Sequence, residues 1–267
     1  MTKKALLIGC NYTNDSTHRL QGCIYDVYEM KKVLESVFEY TESDIIMVSD
    51  SNNDIQPTYS NILENLKKLV EISGTEDLEE IYIHYSGHGI QVRDRIRVRD
   101  RDEPDGKDEG IVPIDFQTNG IITDDILYNN FFSKVDSKCR VVCVFDSCNS
   151  GSISDLNYSW LSDGKKIYKT QLSNRQPIEK KIFVLSGCVD DKYSYETVDP
   201  ETSHLCGALS LELRNVLKEN NWILSIDLLI ISLTQKLKKT SNIQTPVLTT
   251  GFECEQTELV FINPKPF

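Results

Sequence analysis

Short apolar runs alternate with stretches of helical periodicity along most of the chain. The run "KKALLIGCNY" (3–12) reads as a buried strand. "GCIYDVYEMKKVLESVF" (22–38) follows it, with Ile24, Val27, Met30, Leu34 and Val37 at helical spacing. The alternation continues with a strand at "DIIMVSD" (44–50), a helix at "YSNILENLKKLVEI" (59–72), a strand at "EIYIHYS" (80–86), a helix at "DDILYNNFFSKV" (124–135) and a strand at "RVVCVFDS" (140–147). A strand at "KKIFVLSG" (180–187), helices over 205–220 and 225–240, and a core strand at "QTPVLTTG" (244–251) complete the pattern. Strands alternating with helices predict an α/β fold with a mostly parallel central sheet covered on both faces. Two segments break the rhythm, the charged, turn-rich 91–110 and the polar, aperiodic 154–180, and both are expected as surface loops. No internal repeat is visible.

Composition narrows the class. With 267 residues, 39% of them hydrophobic, the chain can bury a full core, and one domain over 1–267 is expected. No apolar run reaches the roughly 18 residues of a membrane span, and the N-terminal apolar segment is too short for a secretory signal. The expectation is a soluble cytoplasmic protein with no membrane partner. Eight cysteines without CxxC pairs argue against a zinc site or a disulfide framework. The formal charge of −12 argues against nucleic acid as a partner, and most of the 41 carboxylates read as surface solubility.

Candidate chemistry sits just past two strands. "HYSGHG" (84–89) and "DSCNSG" (146–151) lie at carboxyl ends of predicted parallel strands, where α/β sheets form their ligand crevice. Cys148, followed by small residues, offers a thiol beside backbone N–H groups and is the candidate nucleophile. His88, between Gly87 and Gly89, is the candidate base and acid, and the amides of Gly89 and Cys148 are the candidate oxyanion donors. Taken singly, Cys148 reads as a packed thiol and His88 as an ordinary histidine; the conjunction carries the signal. His84 reads as structural, and His18 and His204 as surface groups.

"YSGHG" together with "DSCNSG" resembles the catalytic pair of the metacaspases, in the caspase-like clan of cysteine peptidases. The likeness extends to "LQGCIYDVYEMKKVL", "DEPDGKDEGIVPIDF", "GIITDD", "SGCVDDKYSYE", "CGALSLEL" and "QTPVLTTG". The QAC motif of true caspases is absent, and the gap from His88 to Cys148 is about ten residues longer than the roughly 50 of caspases. The residue after the nucleophile is Asn149, where the family commonly has His.

The resemblance implies a caspase-like three-layer α/β/α sandwich, with a large-subunit-like segment (about 1–155), a linker (about 156–180) and a small-subunit-like segment (about 181–267). The chain starts almost at its first strand, like a type I core without a prodomain, and such a core is expected as a monomer. The resemblance further implies an endopeptidase cutting protein or peptide substrates after Arg or Lys, with Cys23, Asp26, Ser86 and Asp146 in the specificity pocket. Paired carboxylates suit a guanidinium or an ammonium; read alone, Asp26 is a helix N-terminal charge and Asp146 a turn former. Calcium activation is implied through Asp108, Asp124, Asp125 and Asp155, all hard oxygen ligands, although Asp124 equally suits a helix cap. The basic residues Lys165, Lys166 and Lys169 in the linker are candidate self-cleavage points. The alternatives are a catalytically silent scaffold that binds basic segments and an amidase for small molecules.

Overall fold

A computed structural model describes residues 2–75, 78–93, 107–147, 153–172, 178–187, 196–240, 244–262 and 264. In chain order it contains β1 (Thr2–Gly9), α1 (Cys23–Ser36), β2 (Ile45–Ser49), α2 (Tyr59–Thr75), β3 (Leu78–Ser86), β4 (Gly89–Arg93), β5 (Lys107–Ile111), α3 (Phe116–Asn119) and β6 (Ile122–Thr123). There follow α4 (Asp124–Leu127), which runs into a π-helical turn (Tyr128–Phe132), then β7 (Arg140–Asp146), β8 (Tyr158–Ser162), β9 (Ile167–Gln171) and β10 (Ile182–Ser186). The remainder is β11 (Glu196–Val198), β12 (Leu205–Gly207), α5 (Ala208–Glu219), β13 (Leu224–Ser225), α6 (Ile226–Thr240), β14 (Val247–Thr250) and β15 (Leu259–Phe261).

Among the described residues the main sheet has eight strands in the order β2-β1-β3-β7-β10-β14-β8-β9. The first five are parallel and the last three pair antiparallel. Strand period two sends successive side chains to opposite faces. Ala5, Leu7, Tyr82, Val142 and Val144 pack with α1, α5 and α6, whereas Leu6, Ile8, Ile81, Ile83, Val141 and Cys143 pack with α2 and the π turn. Both faces are therefore covered, which is why these strands read as continuous apolar runs.

Both segments expected as loops contribute strands. β4 and β5 pair antiparallel from Gly89↔Ile111 to Arg93↔Lys107, and β6 adds a third strand; residues 94–106 lie outside those described. Segment 154–180 places β8 and β9 in the main sheet. Tyr158 and Trp160 flank Ser159, are buried, and sit where β8 pairs with β14, with Leu248↔Trp160 in register. A five-residue strand with polar alternates carries too little periodicity to stand out from a loop. The helix expected over 124–135 is α for four residues only. The wider π turn then buries both Phe131 and Phe132. Arg140 ties down the C-terminal strand, donating from Nη2 to the carbonyls of Leu259 and Val260 and lying 4.6 Å from the Phe183 ring centroid.

Candidate active site

The carboxyl ends of β1, β3 and β7 lie side by side, with Gly9 opposite Ser86 and Ser86 opposite Asp146. His88 follows β3 directly, and its backbone is held by two buried phenols. The Tyr12 hydroxyl accepts from His88 N at 3.0 Å and donates to Val112 O at 2.6 Å, while the Tyr85 hydroxyl donates to His88 O at 2.7 Å. Gly87 is required there, because a Cβ would stand 2.6 Å from the Tyr85 hydroxyl oxygen. The Tyr12 ring lies 4.8 Å from the imidazole, and His88 Nε2 donates to His18 O at 2.7 Å. A carbonyl only accepts, so this bond fixes the proton on Nε2 of neutral His88 and leaves Nδ1 as the basic nitrogen. Cys148 and Asn149 lie outside the described residues.

Asp26 and Asp146 meet across Gly207. Both carboxylates are buried, at 0% and 3% exposure, deeper than the partly shielded pocket the sequence suggests. Ser86 Oγ donates to Asp26 Oδ2 at 2.7 Å, and Gly207 N donates to both oxygens of Asp26 at 3.0 and 2.9 Å. Ser210 donates to Asp146 Oδ2 twice, from N at 2.8 Å and from Oγ at 2.7 Å. The first amides of α5 thus face both acids, and the helix N-terminus supplies partial positive charge to each. A Cβ on Gly207 would lie 2.1 Å from Asp146 Oδ2 and 2.9 Å from Asp26 Oδ2, so only glycine lets the acids close on this point. Burial, and then the neighbouring charge of Asp146, hold the Asp26 carboxyl well above the usual range.

Cys23, which the resemblance assigns to the same pocket, begins α1, where burial and the charge of Asp26 push its thiol up. Its amide and that of Ile24 donate to Asn11 Oδ1 at 2.9 and 3.2 Å, while Gln21 N and Gly22 N donate to Glu196 Oε1 at 2.8 and 2.6 Å. Two side chains from other segments therefore satisfy the four amides from Gln21 to Ile24 that lead into α1. His84 lies in the interior, as expected of a residue inside the strand: it is fully buried, and burial pushes it down to about 3. The part-exposed His18 ring donates from Nδ1 to Asp15 at 2.7 Å and lies 6.4 Å from the His88 ring. It is thus close to His88 as well as at the surface, and its carbonyl is the atom that meets His88. His204 stacks on Tyr25 at 4.9 Å.

The acidic residues expected to bind a metal lie on neighbouring elements. Asp108 is in β5, Asp124 and Asp125 open α4, and Asp155 sits in the left-handed region with φ of 50°. Thr123, not Asp124, caps α4, accepting from Ile126 N at 3.4 Å. Asp124 Oδ2 accepts from Glu109 N at 2.9 Å and Oδ1 from Asp125 N at 2.7 Å. Burial, then the charge of Asp155, raise Asp124 to about 9. Among the described residues no three His, Cys, Asp or Glu side chains converge as metal ligands. Glu109 is buried beside this group and accepts from Gln91 Nε2 at 2.9 Å. In the β8–β9 hairpin, the amides of Lys165 and Lys166 each donate to Asp163 Oδ1 at 2.8 Å. Lys169 is pinned 4.9 Å from the ring centroids of both Tyr158 and Trp160.

Sequence reasoning missed Tyr12, Asn11, Glu196, Gly207, Ser210 and the His18 carbonyl. Tyr12 and Asn11 follow β1 directly, so the strand-end rule that singled out His88 reaches them too. For the His18 carbonyl there was no signal, because a backbone acceptor has no residue type.

Comparison with known proteins identifies the family. The family model for the metacaspase, peptidase C14 domain, matches residues 3–157. Metacaspase III c of Phaeodactylum tricornutum is 37% identical over 163 residues, covering 61% of this chain and 47% of that protein. Metacaspase-1 of Cryptococcus neoformans is 41% identical over 164 residues, covering 61% of this chain and 34% of its own. The match thus spans less than half of either relative. Caspase-1 of Spodoptera frugiperda superposes with a TM-score of 0.56 at 13% identity over 93% of this chain and 86% of that one. A Geobacter sulfurreducens protein does so with 0.60 at 21% over 96% and 95%. The fold is therefore caspase-like, and with the family model matching more than half of its length, the chain belongs to the metacaspases.

Proposed function

We propose that the protein is a cysteine endopeptidase that cuts after Arg or Lys. The observation that carries this reading is the buried Asp26–Asp146 pair, Asp146 at the end of β7 and Asp26 on α1 bonded to Ser86 at the end of β3, two residues before His88. Two buried carboxylates resist ionising together, and a guanidinium or ammonium brings the charge that stabilises both. In the proposed reaction His88 Nδ1 takes the Cys148 thiol proton and the thiolate attacks the carbonyl after the basic residue. Backbone amides of Cys148 and Gly89 hold the oxyanion. The imidazolium then returns the proton to the departing amine. Water, activated by the same nitrogen, hydrolyses the thioester.

Calcium is proposed as an activator. The donor set fits a hard cation: Asp108, Asp124, Asp125 and Asp155 supply only oxygens, and Asp124 and Asp155 repel each other in a buried setting. Those residues would hold it, and calcium would supply positive charge that lets the cluster ionise. Self-cleavage is proposed at Lys165 or Lys166, in the hairpin turn, rather than at Lys169, whose ammonium lies against two rings.

The test is fluorophore release from matched Arg, Lys and Asp peptides by wild type and Cys148→Ala, each with calcium and with EGTA. Calcium-dependent cleavage after Arg or Lys that the mutant lacks is expected. Folded wild-type protein that cleaves none of them would overturn the peptidase reading in favour of a scaffold for basic segments, and cleavage after Asp would overturn the pocket assignment.

A further inference from the structure

We propose that His84 and Ser210 are positioning residues for substrate selection, forming with Tyr82 a hydrogen-bond relay that fixes the Asp146 carboxylate. The inference rests on the reading of Asp26 and Asp146 as the pocket for a basic side chain. Strand period two places Tyr82, His84 and Ser86 in one row on the face of β3 that α1 and α5 cover. Ser86 reaches Asp26, and His84 reaches Ser210 in the first turn of α5, with Nε2 and Oγ 3.0 Å apart. On its other side His84 Nδ1 lies 3.1 Å from the Tyr82 hydroxyl.

The proton positions follow from what each group can do. An ionised Asp146 only accepts, so the single hydroxyl proton of Ser210 points to Oδ2 at 2.7 Å. Ser210 Oγ then accepts from Nε2–H of His84, which leaves Nδ1 to accept from Tyr82. Every member donates toward the acid, and the chain ends on its charge. Burial keeps the imidazole neutral, pushing it down to about 3, and keeps the Tyr82 hydroxyl protonated. An aliphatic side chain would fill the same interior position without the cost of burying an imidazole. The polar row is explained by its terminus, since hydrogen bonds that polarise one another toward a buried anion hold its plane as well as its charge.

The experiment uses the full chain in the Cys148→Ala background, with binding of an Arg-terminated peptide measured by calorimetry in calcium buffer. A peptide with the neutral isostere citrulline serves as the charge control. Ser210→Ala and His84→Phe are each expected to weaken Arg-peptide binding about tenfold to hundredfold. His84→Gln, which keeps an N–H donor at the Nε2 position, is expected to recover to within about threefold of the parent, on the same donor logic. In the Cys148-intact enzyme, the same substitutions are expected to raise KM for Arg substrates while kcat and the iodoacetamide alkylation rate of Cys148 hold within about twofold, as loss of uniform binding requires.

Variants that bind the Arg peptide like the parent overturn the relay alone. A parent that binds neither peptide overturns the pocket reading and the relay with it. Equal losses in kcat and alkylation, or a His84→Gln no better than His84→Phe, assign these residues to the scaffold and overturn the proposal. Ser210→Ala removes one oxygen and decides the question should His84→Phe not fold.

Discussion

Two of the buried acidic groups among the described residues are built differently. Asp26 and Asp146 are enclosed by donors that the fold supplies: two hydroxyls, the amides of an α-helix N-terminus, and the Arg214 guanidinium acting on Asp26 from nearby. Asp124 meets the amides of Glu109 and Asp125, with the charges of Asp155 and Glu109 raising it further. The first group is thus organised by the fold itself, as the proposed pocket for a basic side chain requires. The second gathers like charge with no three ligands converged among the described residues, and under the proposed calcium reading the cation would order it. Preorganised dipoles suit selection, and repelling carboxylates suit a switch.

The sharpest way to break this contrast is to neutralise one member of each group. Asp146→Asn is expected to lower kcat/KM for Arg and Lys peptides by at least about a hundredfold, because the substrate cation then enters against a lone carboxylate. Wild type and this variant are both expected to show the same rise in Tm on adding calcium, measured by scanning calorimetry. Asp124→Asn should do the reverse, weakening calcium activation by about tenfold or more, read from a calcium titration of the rate, while peptide selectivity holds. If both variants lose both properties in equal measure, the two groups are one site and the contrast is wrong.

pH separates the buried groups next. Asp26 keeps its proton to higher pH in the fold than its ordinary 3.8, so the folded state binds more protons above that value and stability falls as pH rises from there toward the folded pKa. Asp26→Asn is expected to flatten that fall in urea midpoints between pH 4 and 8. His84 has the opposite sign. Pushed from 6.5 down to about 3, it costs stability as pH drops through that interval, and His84→Gln should flatten the acid side instead.

Smaller effects refine the pocket and the hairpin. Arg peptides should exceed Lys peptides in kcat/KM by about tenfold, since a planar guanidinium matches two carboxylates better than a point charge; a Lys preference would mean a single acid does the binding. Lys169→Ala is expected to cost about 0.5–1 kcal/mol in denaturant unfolding through its lost ring contacts, without changing the cutting of peptides.

Much of the architecture was legible because burial on two faces makes apolar runs conspicuous, as in "KKALLIG" and "RVVCVF". β8 and β9 were not. Trp160 and Tyr158 need β14 beside them to become core positions, and the exposed edge strand β9 has no apolar period to read. The site divides similarly. His84, Ser86 and His88 are visible together in six letters, whereas Gly207 and Ser210 look like ordinary residues until α5 is laid across β3 and β7.

By itself the sequence determined the strand–helix alternation, the family motifs and the residue types at the strand ends, because these depend on local periodicity and on side-chain chemistry. The tertiary structure alone decided which nitrogen of His88 carries the proton, which amides cradle Asp26 and Asp146, and that those acids lie against one glycine. Each of these is a contact between segments far apart in the chain, with the donor often a backbone amide or carbonyl, and such groups are the same at nearly every position until the fold brings one of them within hydrogen-bond reach.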